Sequence, residues 1–189
     1  MDRNLESYIK IYRNAVSDDL CDQTLALLKD ESLWIKHGFH DEYNNKDITY
    51  KDDLDVSAYT ISNHGTMMGL LYKTIQNYME DTDLPFYNTW NGYSMIRYNR
   101  YNPGTNMKPH CDHINSMFDG SIRGIPTLSI VGLLNEDFEG GDFMMFFEKE
   151  DRIDLRKGDI MIFPSIFLYP HRVDSVRSGV RYSFVSWVY

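Results

Sequence analysis

Two different spacings of apolar residues divide this chain. From Ser17 to Lys29 a serine and two aspartates precede apolar residues at helical intervals, the pattern of an N-capped amphipathic helix with acidic groups at the positive end of its dipole. A second helical stripe runs from Thr66 to Met79, where Met67, Leu70, Leu71, Thr74, Ile75 and Tyr78 share one broad face. Its methionines and tyrosines read as core packing against a sheet. From Tyr93 the period shortens, and β-rich runs at 93–97, 127–134, 142–147, 159–163 and 180–188 alternate with Gly, Pro, Asn and Asp clusters. Helices followed by several short strands predict an α+β architecture, with N-terminal helices supporting one sheet of a β sandwich.

Between the two helices, residues 37–55 are polar and charged and predict a loop holding a short strand. A loop of this length is either a lid over substrate or a solvated insertion, and both readings stay open. At 189 residues the chain suits one domain, here 1–189, with a helical and loop part at 1–92 and a β core at 93–189. No apolar stretch is long enough to cross a bilayer, and the opening Met1-Asp2-Arg3-Asn4 lacks the layout of a secretory signal, so a soluble cytoplasmic protein without membrane contact is expected. Two cysteines, Cys21 and Cys111, fit a reducing compartment better than a structural disulfide. A net charge of -9 opposes nonspecific attraction to nucleic acid while leaving a local basic groove open.

The chemistry concentrates in His110-Cys111-Asp112 and in His171 and Arg181 further on. On an extended segment alternate side chains share a face, so His110 and Asp112 aim at one point while Cys111 turns away to pack behind the strand. His171 from a distant strand would complete two imidazoles and one carboxylate on one side of a metal, the donor set of non-haem Fe(II) oxygenases with coordination positions left open. On 180–188, alternation places Arg181, Ser183, Val185 and Trp187 on one face, and an inward arginine needs an anion. His37, His40 and His64 are not needed as ligands. Arg97 and Tyr98 are expected to pack or to face solvent.

The run Arg100-Tyr101-Asn102-Pro103-Gly104 leading to His110-Cys111-Asp112 resembles the Fe(II)/2-oxoglutarate oxygenases, in particular their prolyl-4-hydroxylase-like and PKHD-type branch. The resemblance continues through Leu134-Asn135, Glu139-Gly140-Gly141-Asp142, Lys157-Gly158-Asp159, His171-Arg172-Val173 and Val180-Arg181-Tyr182-Ser183, covering residues 93–189. It implies a double-stranded β-helix, or jelly roll, holding Fe(II) on His110, Asp112 and His171. It further implies 2-oxoglutarate bound by Arg181 and Tyr101, with Ser183 adding a hydroxyl contact, and O2 as the oxidant; ascorbate is an optional accessory. Asn99 joins this set because Asn99-Arg100-Tyr101 is also similar to the co-substrate segment of AlkB-type nucleic-acid dealkylases.

Three positions depart from the relatives. Met107 stands where prolyl hydroxylases carry a tyrosine near substrate, Leu133 where they carry a tyrosine near the distal carboxylate, and Trp187 where AlkB-type enzymes carry a second arginine. Thr127 or Ser129 is expected to supply the hydroxyl that Leu133 lacks. Met107, Trp187 and His113 are candidate substrate contacts, and residues 114–121 are expected at the mouth of the barrel. The implied activity is hydroxylation of a side chain in a peptide or protein, coupled to conversion of 2-oxoglutarate to succinate and CO2. Alternatives are an AlkB-like dealkylase, a small-molecule hydroxylase, a zinc hydrolase on the same ligands and a metal-binding non-enzyme. The oligomeric state does not follow from these residues.

Overall fold

The computed structural model describes residues 4–41, 46–83, 90–112, 126–146 and 151–189. The N-terminal part contains β1 (Lys10–Tyr12), α1 (Asp18–Leu27), β2 (Trp34–Lys36), β3 (Phe39–Asp41), β4 (Lys46–Ile48), β5 (Asp55–Ser57) and α2 (His64–Thr82). The C-terminal part contains β6 (Arg97–Tyr101), β7 (Met107–His110), β8 (Leu128–Leu133), β9 (Phe138–Gly140), β10 (Phe143–Met145) and β11 (Asp151–Ile153). It ends with β12 (Ile160–Pro164), β13 (His171–Val173), β14 (Val176–Gly179) and β15 (Arg181–Val188). Seven strands form an antiparallel sheet in the order β1-β12-β8-β15-β6-β5-β2, and four form a second in the order β11-β10-β13-β7. Short pairs β14-β9 and β3-β4 complete the ladder.

The period-two pattern decides which residue faces which layer. Ile130, Ile160, Ile162, Tyr98, Phe184 and Val188 turn to one side of the large sheet, where Cys21 and Leu28 of the α1 region and Met67, Leu71, Ile75 and Tyr78 of α2 cover them. Val131, Met161, Phe163 and Tyr101 turn to the other side, against Met107, Phe143, Met145 and Val173 of the small sheet. All six residues of β8 are therefore buried, half of them in each layer. Gly132 is required there. A Cβ at that position would lie 2.0 Å from the Phe184 ring, which fills the space over its cross-strand partner.

Capping and side-chain bonds place the helices. Ser17 accepts from the Leu20 N–H to start α1, and the Asn63 amide at the start of α2 donates to Thr24 of α1 at 2.8 Å. The Tyr78 hydroxyl donates to the Tyr8 carbonyl. Both helical expectations hold, with α2 starting two residues earlier and ending three later than the stripe alone suggests.

Three expectations change. The N-terminal part is more than helix and loop, because β1, β2 and β5 extend the large sheet. Buried Asp159 draws β1 in by accepting from Arg13 at 2.6 Å and from the Asn14 backbone, while Asp55 of β5 pairs with Arg100 of β6 at 3.0 Å. Residues 37–55, expected as a loop holding one short strand, hold two, paired as the β3-β4 hairpin, and lead into β5; 42–45 lie outside the described residues. The strand expected at 93–97 begins instead at Arg97. Ser94 takes over the ladder's task with its side chain, accepting from the Trp187 N–H at 3.0 Å and lying 3.2 Å from Ser186 Oγ.

Candidate active site

His110 closes β7 and His171 opens β13, and the two are direct cross-strand partners. Asp112 follows on a bend past the end of β7, so the alternation that unites it with His110 runs one step beyond the strand. Cys111 between them turns its thiol to the Phe167 carbonyl. Asp112 Oδ1 lies 3.3 Å from His110 Nε2 and 3.7 Å from His171 Nε2, and one donor atom from each residue falls within 4.8 Å of the others. Donors bound at right angles to one metal at about 2.1 Å stand about 3 Å apart, so this spacing fits three ligands on one face of an ion.

Each imidazole is oriented by its own chain. His110 Nδ1 lies 2.7 Å from the Lys108 carbonyl and His171 Nδ1 lies 3.1 Å from the Tyr169 carbonyl. A carbonyl only accepts, so Nδ1 carries the proton and Nε2 presents its lone pair to the metal position. Phe143 stacks on His171 with ring centres 5.4 Å apart, and Phe163 meets it edge-on at 5.1 Å. Burial pulls the His171 pKa down, outweighing the Asp112 charge that raises it, which favours the neutral ligand form. For Asp112 burial raises the pKa, but when the metal-free imidazoles are protonated on Nε2 as well, the His110 hydrogen bond and the charges of His171 and His110, with the Ser129 hydroxyl, hold it well below the usual carboxylate range.

Ser129 was expected at the distal carboxylate; the structure corrects this. Its hydroxyl donates to Asp112 Oδ2 at 2.6 Å and is bonded to Ser165 at 2.8 Å. Thr127 donates to the Val188 carbonyl and supplies no hydroxyl to the cavity either. The reason lies in register: Ser129 is opposite Trp187, and Leu133 is opposite Ser183, so the two ends of β8 serve opposite ends of the cavity.

The cavity beside the triad is lined by Asn99, Tyr101, Met107, Arg181, Ser183 and Trp187, among others. The three proposed metal ligands, the four proposed co-substrate residues, and Met107 and Trp187 therefore converge on one space. His113 and residues 114–121 lie outside the described residues. Arg181 is 2% exposed, donates to Ser183 Oγ at 2.9 Å, lies over the Tyr101 ring at 5.0 Å, and has no ion pair with a described carboxylate. Burial lowers its pKa, opposed by Tyr101 and by the charge of Asp142. A buried cation without a counterion is costly, and a dicarboxylate entering the cavity would satisfy it. Gly141 makes room for this side chain. It has φ +64, and a Cβ there would sit 2.9 Å from Arg181 Cδ. Asn99 Oδ1 is buried without a partner, and burial raises the phenol pKa of Tyr101, keeping it protonated as a donor. The donor set and the orphaned Arg181 thus fit Fe(II) and 2-oxoglutarate.

Two residues were missed or misread from the sequence. Arg97, expected to pack or to face solvent, packs its guanidinium over the Trp187 ring at 5.1 Å and in doing so lines the cavity, a place the sequence reading did not give it. The signal was present, since the alternation that joins Asn99 to Tyr101 includes Arg97. Ser165 had no signal, because its link to the triad through Ser129 exists only across strands. Asn135, within the Leu-Asn motif, is structural: its side chain donates to the Val180 carbonyl and accepts from the Tyr182 N–H, aligning the start of β15.

Residues 96–189 match the 2OG-Fe(II) oxygenase superfamily. A PKHD-type hydroxylase of Crocosphaera subtropica is 31% identical over 97 residues, 50% of this chain and 42% of that protein. A PKHD-type hydroxylase of a Psychrobacter species is 35% identical over 95 residues, 48% of this chain and 36% of that protein. The matched part of the chain thus spans less than half of the length of either relative. Among solved structures, a viral collagen prolyl hydroxylase from Paramecium bursaria Chlorella virus-1 aligns over 96% of this chain and 94% of its own, with a TM-score of 0.69 and 16% identity. A Trichoplax adhaerens prolyl hydroxylase bound to a hypoxia-inducible-factor peptide aligns over 97% and 84%, with a TM-score of 0.72 and 15% identity. These two structures show the shared fold. Among the described residues no helix is long and apolar enough to cross a membrane.

Proposed function

We propose that this chain, which belongs to the 2OG-Fe(II) oxygenase superfamily, hydroxylates a side chain of a peptide or protein with 2-oxoglutarate as co-substrate. One oxygen atom of O2 enters the substrate as a hydroxyl and the other enters succinate, with CO2 released from 2-oxoglutarate. His110, Asp112 and His171 would hold Fe(II), which supplies the activation of O2 that protein groups cannot. Arg181 binds the distal carboxylate of 2-oxoglutarate in a charge-assisted pair, and Ser183 and Tyr101 flank it as hydroxyl donors. Asn99, on the same face, offers its amide to the other end. Ser129 fixes the Asp112 carboxylate, and the walls of Phe143, Val131 and Met107 keep water from the reacting centre. Peptide or protein as the substrate class is drawn from the prolyl-hydroxylase-like and PKHD-type relatives, with a small-molecule acceptor as the alternative.

The observation that carries this reading is Arg181, a buried guanidinium with no described carboxylate partner, at one end of a cavity whose wall bears the triad. A zinc hydrolase or a silent binding protein would leave that cation unexplained. The test is succinate formation from 2-oxoglutarate by the Fe(II)-loaded protein, measured with and without candidate peptides. Wild type should show substrate-independent turnover that His171→Ala abolishes while the variant remains folded by circular dichroism. Equal succinate yield from the His171→Ala protein would refute the assignment.

A further inference from the structure

A second guanidinium in the cavity, on the half-buried Arg97, has no role in the scheme above. On the interior face of the neighbouring strands β6 and β15, the cross-strand pairs Arg181–Tyr101, Ser183–Asn99 and Val185–Arg97 follow one another, with Trp187 beyond. Four residues of strand separate the first and third rows, so Arg181 and Arg97 are rooted about 14 Å apart. Their head groups also lean apart. Arg181 lies over Tyr101 in its own row, whereas Arg97 lies over Trp187, toward the far end. Trp187 is opposite Ser129, and Ser129 holds Asp112, so Arg97 approaches the metal position from the side away from Arg181.

Arg97 Nε is sealed from solvent and meets no acceptor among the described residues. The carboxylate whose charge it feels, Asp112, is already engaged by Ser129, His110 and His171. Stacking on an indole stabilises a guanidinium and leaves its in-plane N–H groups free to bind an anion. Sealing its Nε–H without an acceptor is unfavourable unless a ligand supplies one.

We propose that Arg97 anchors a carboxylate of the primary substrate at the end of the cavity opposite Arg181, holding the carbon to be hydroxylated beside the metal position. This rests on the oxygenase reading. The substrate class is then an acid, presented either as a chain-terminal carboxylate or as an acidic side chain. Val185, Trp187 and Met107 would contact its apolar part.

The test uses the whole protein under argon, first titrated with Mn(II) and 2-oxoglutarate, then with small acids followed by calorimetry. N-acetylglycine represents a terminal carboxylate, N-acetyl-aspartic acid α-amide represents a side-chain carboxylate, and N-acetylglycinamide is the uncharged control. At least one acid should bind the loaded wild type saturably while the control does not, and which acid binds identifies the source of the carboxylate. Arg97→Gln should weaken that binding by about thirtyfold or more, as expected for truncating one partner of a buried charged pair. Arg97→Lys should fall between, and both variants should keep wild-type Mn(II) and 2-oxoglutarate affinity. Three results overturn the proposal: neither acid binds the loaded wild type, the acid binds Arg97→Gln as tightly as wild type, or Arg97→Gln loses affinity for 2-oxoglutarate. The last would move Arg97 to the metal-end carboxylate of the co-substrate. Failure of 2-oxoglutarate to bind wild type would appear in the first titration and remove the oxygenase reading, and the proposal with it.

Discussion

Replacing Ser129 by alanine tests whether the metal site is positioned from behind. The hydroxyl lies 2.6 Å from Asp112 Oδ2 on a residue 1% exposed, so no solvent can substitute for it freely. A hydrogen bond to a charged acceptor contributes about 1.5–3 kcal/mol. The metal-free carboxylate loses the same bond, so only the difference between the two states reaches the metal affinity. That difference arises because Asp112 stands on a bend past the end of β7, and without Ser129 its carboxylate is free to rotate away from the two Nε2 atoms. Loss of a group supporting a ligand weakens metal binding by about 10- to 100-fold, and we expect a value in that range. The assay is titration of Mn(II) followed by electron paramagnetic resonance, repeated on Ser165→Ala. Ser165 bonds to Ser129 and reaches Asp112 only through it, so its effect should be a few-fold at most. Mn(II) affinity of Ser129→Ala within about twofold of wild type would show that this bond does not position the ligand.

Arg181→Met should weaken 2-oxoglutarate binding by about a hundredfold while leaving Mn(II) affinity intact, with Arg181→Lys milder because charge survives without the planar fork. Separate titrations of metal and co-substrate check this, and unchanged 2-oxoglutarate affinity would place the co-substrate elsewhere. Gly132→Ala should destabilise the fold by about 3 kcal/mol, lowering Tm by about 6–12 °C, because the new methyl meets the Phe184 ring. Thermal melts of this variant and of Gly132→Ala combined with Phe184→Leu should show partial rescue, and additive losses would contradict the contact. Burial and the neighbouring Arg97 charge lower the His37 pKa from 6.5 to about 4, with Asp53 opposing. The unfolded chain therefore binds the extra proton first, so stability should fall as pH drops from about 6.5 through about 4, and urea melts of His37→Asn should show a flatter profile across that window.

Local pattern was enough for much of the molecule. The Ser17 cap with its acidic first turn and the stripe from Met67 to Tyr78 announce α1 and α2, because a helix is built from neighbours in sequence. Alternation on 180–188 orders Arg181, Ser183 and Trp187 on one face because the pleat has period two. The triad was legible as residue types, and with the surrounding motifs it pointed to the family. What tertiary structure decided is every bond that crosses strands. Register alone put Ser129 against Asp112 rather than near Leu133, and turned Arg97 over Trp187. It also made β1, β2 and β5 part of the large sheet, through Asp159 and Asp55 bonds that join residues far apart in the chain. Pairing partners depend on which strand lies alongside, and three-residue strands carry too little local preference to declare it.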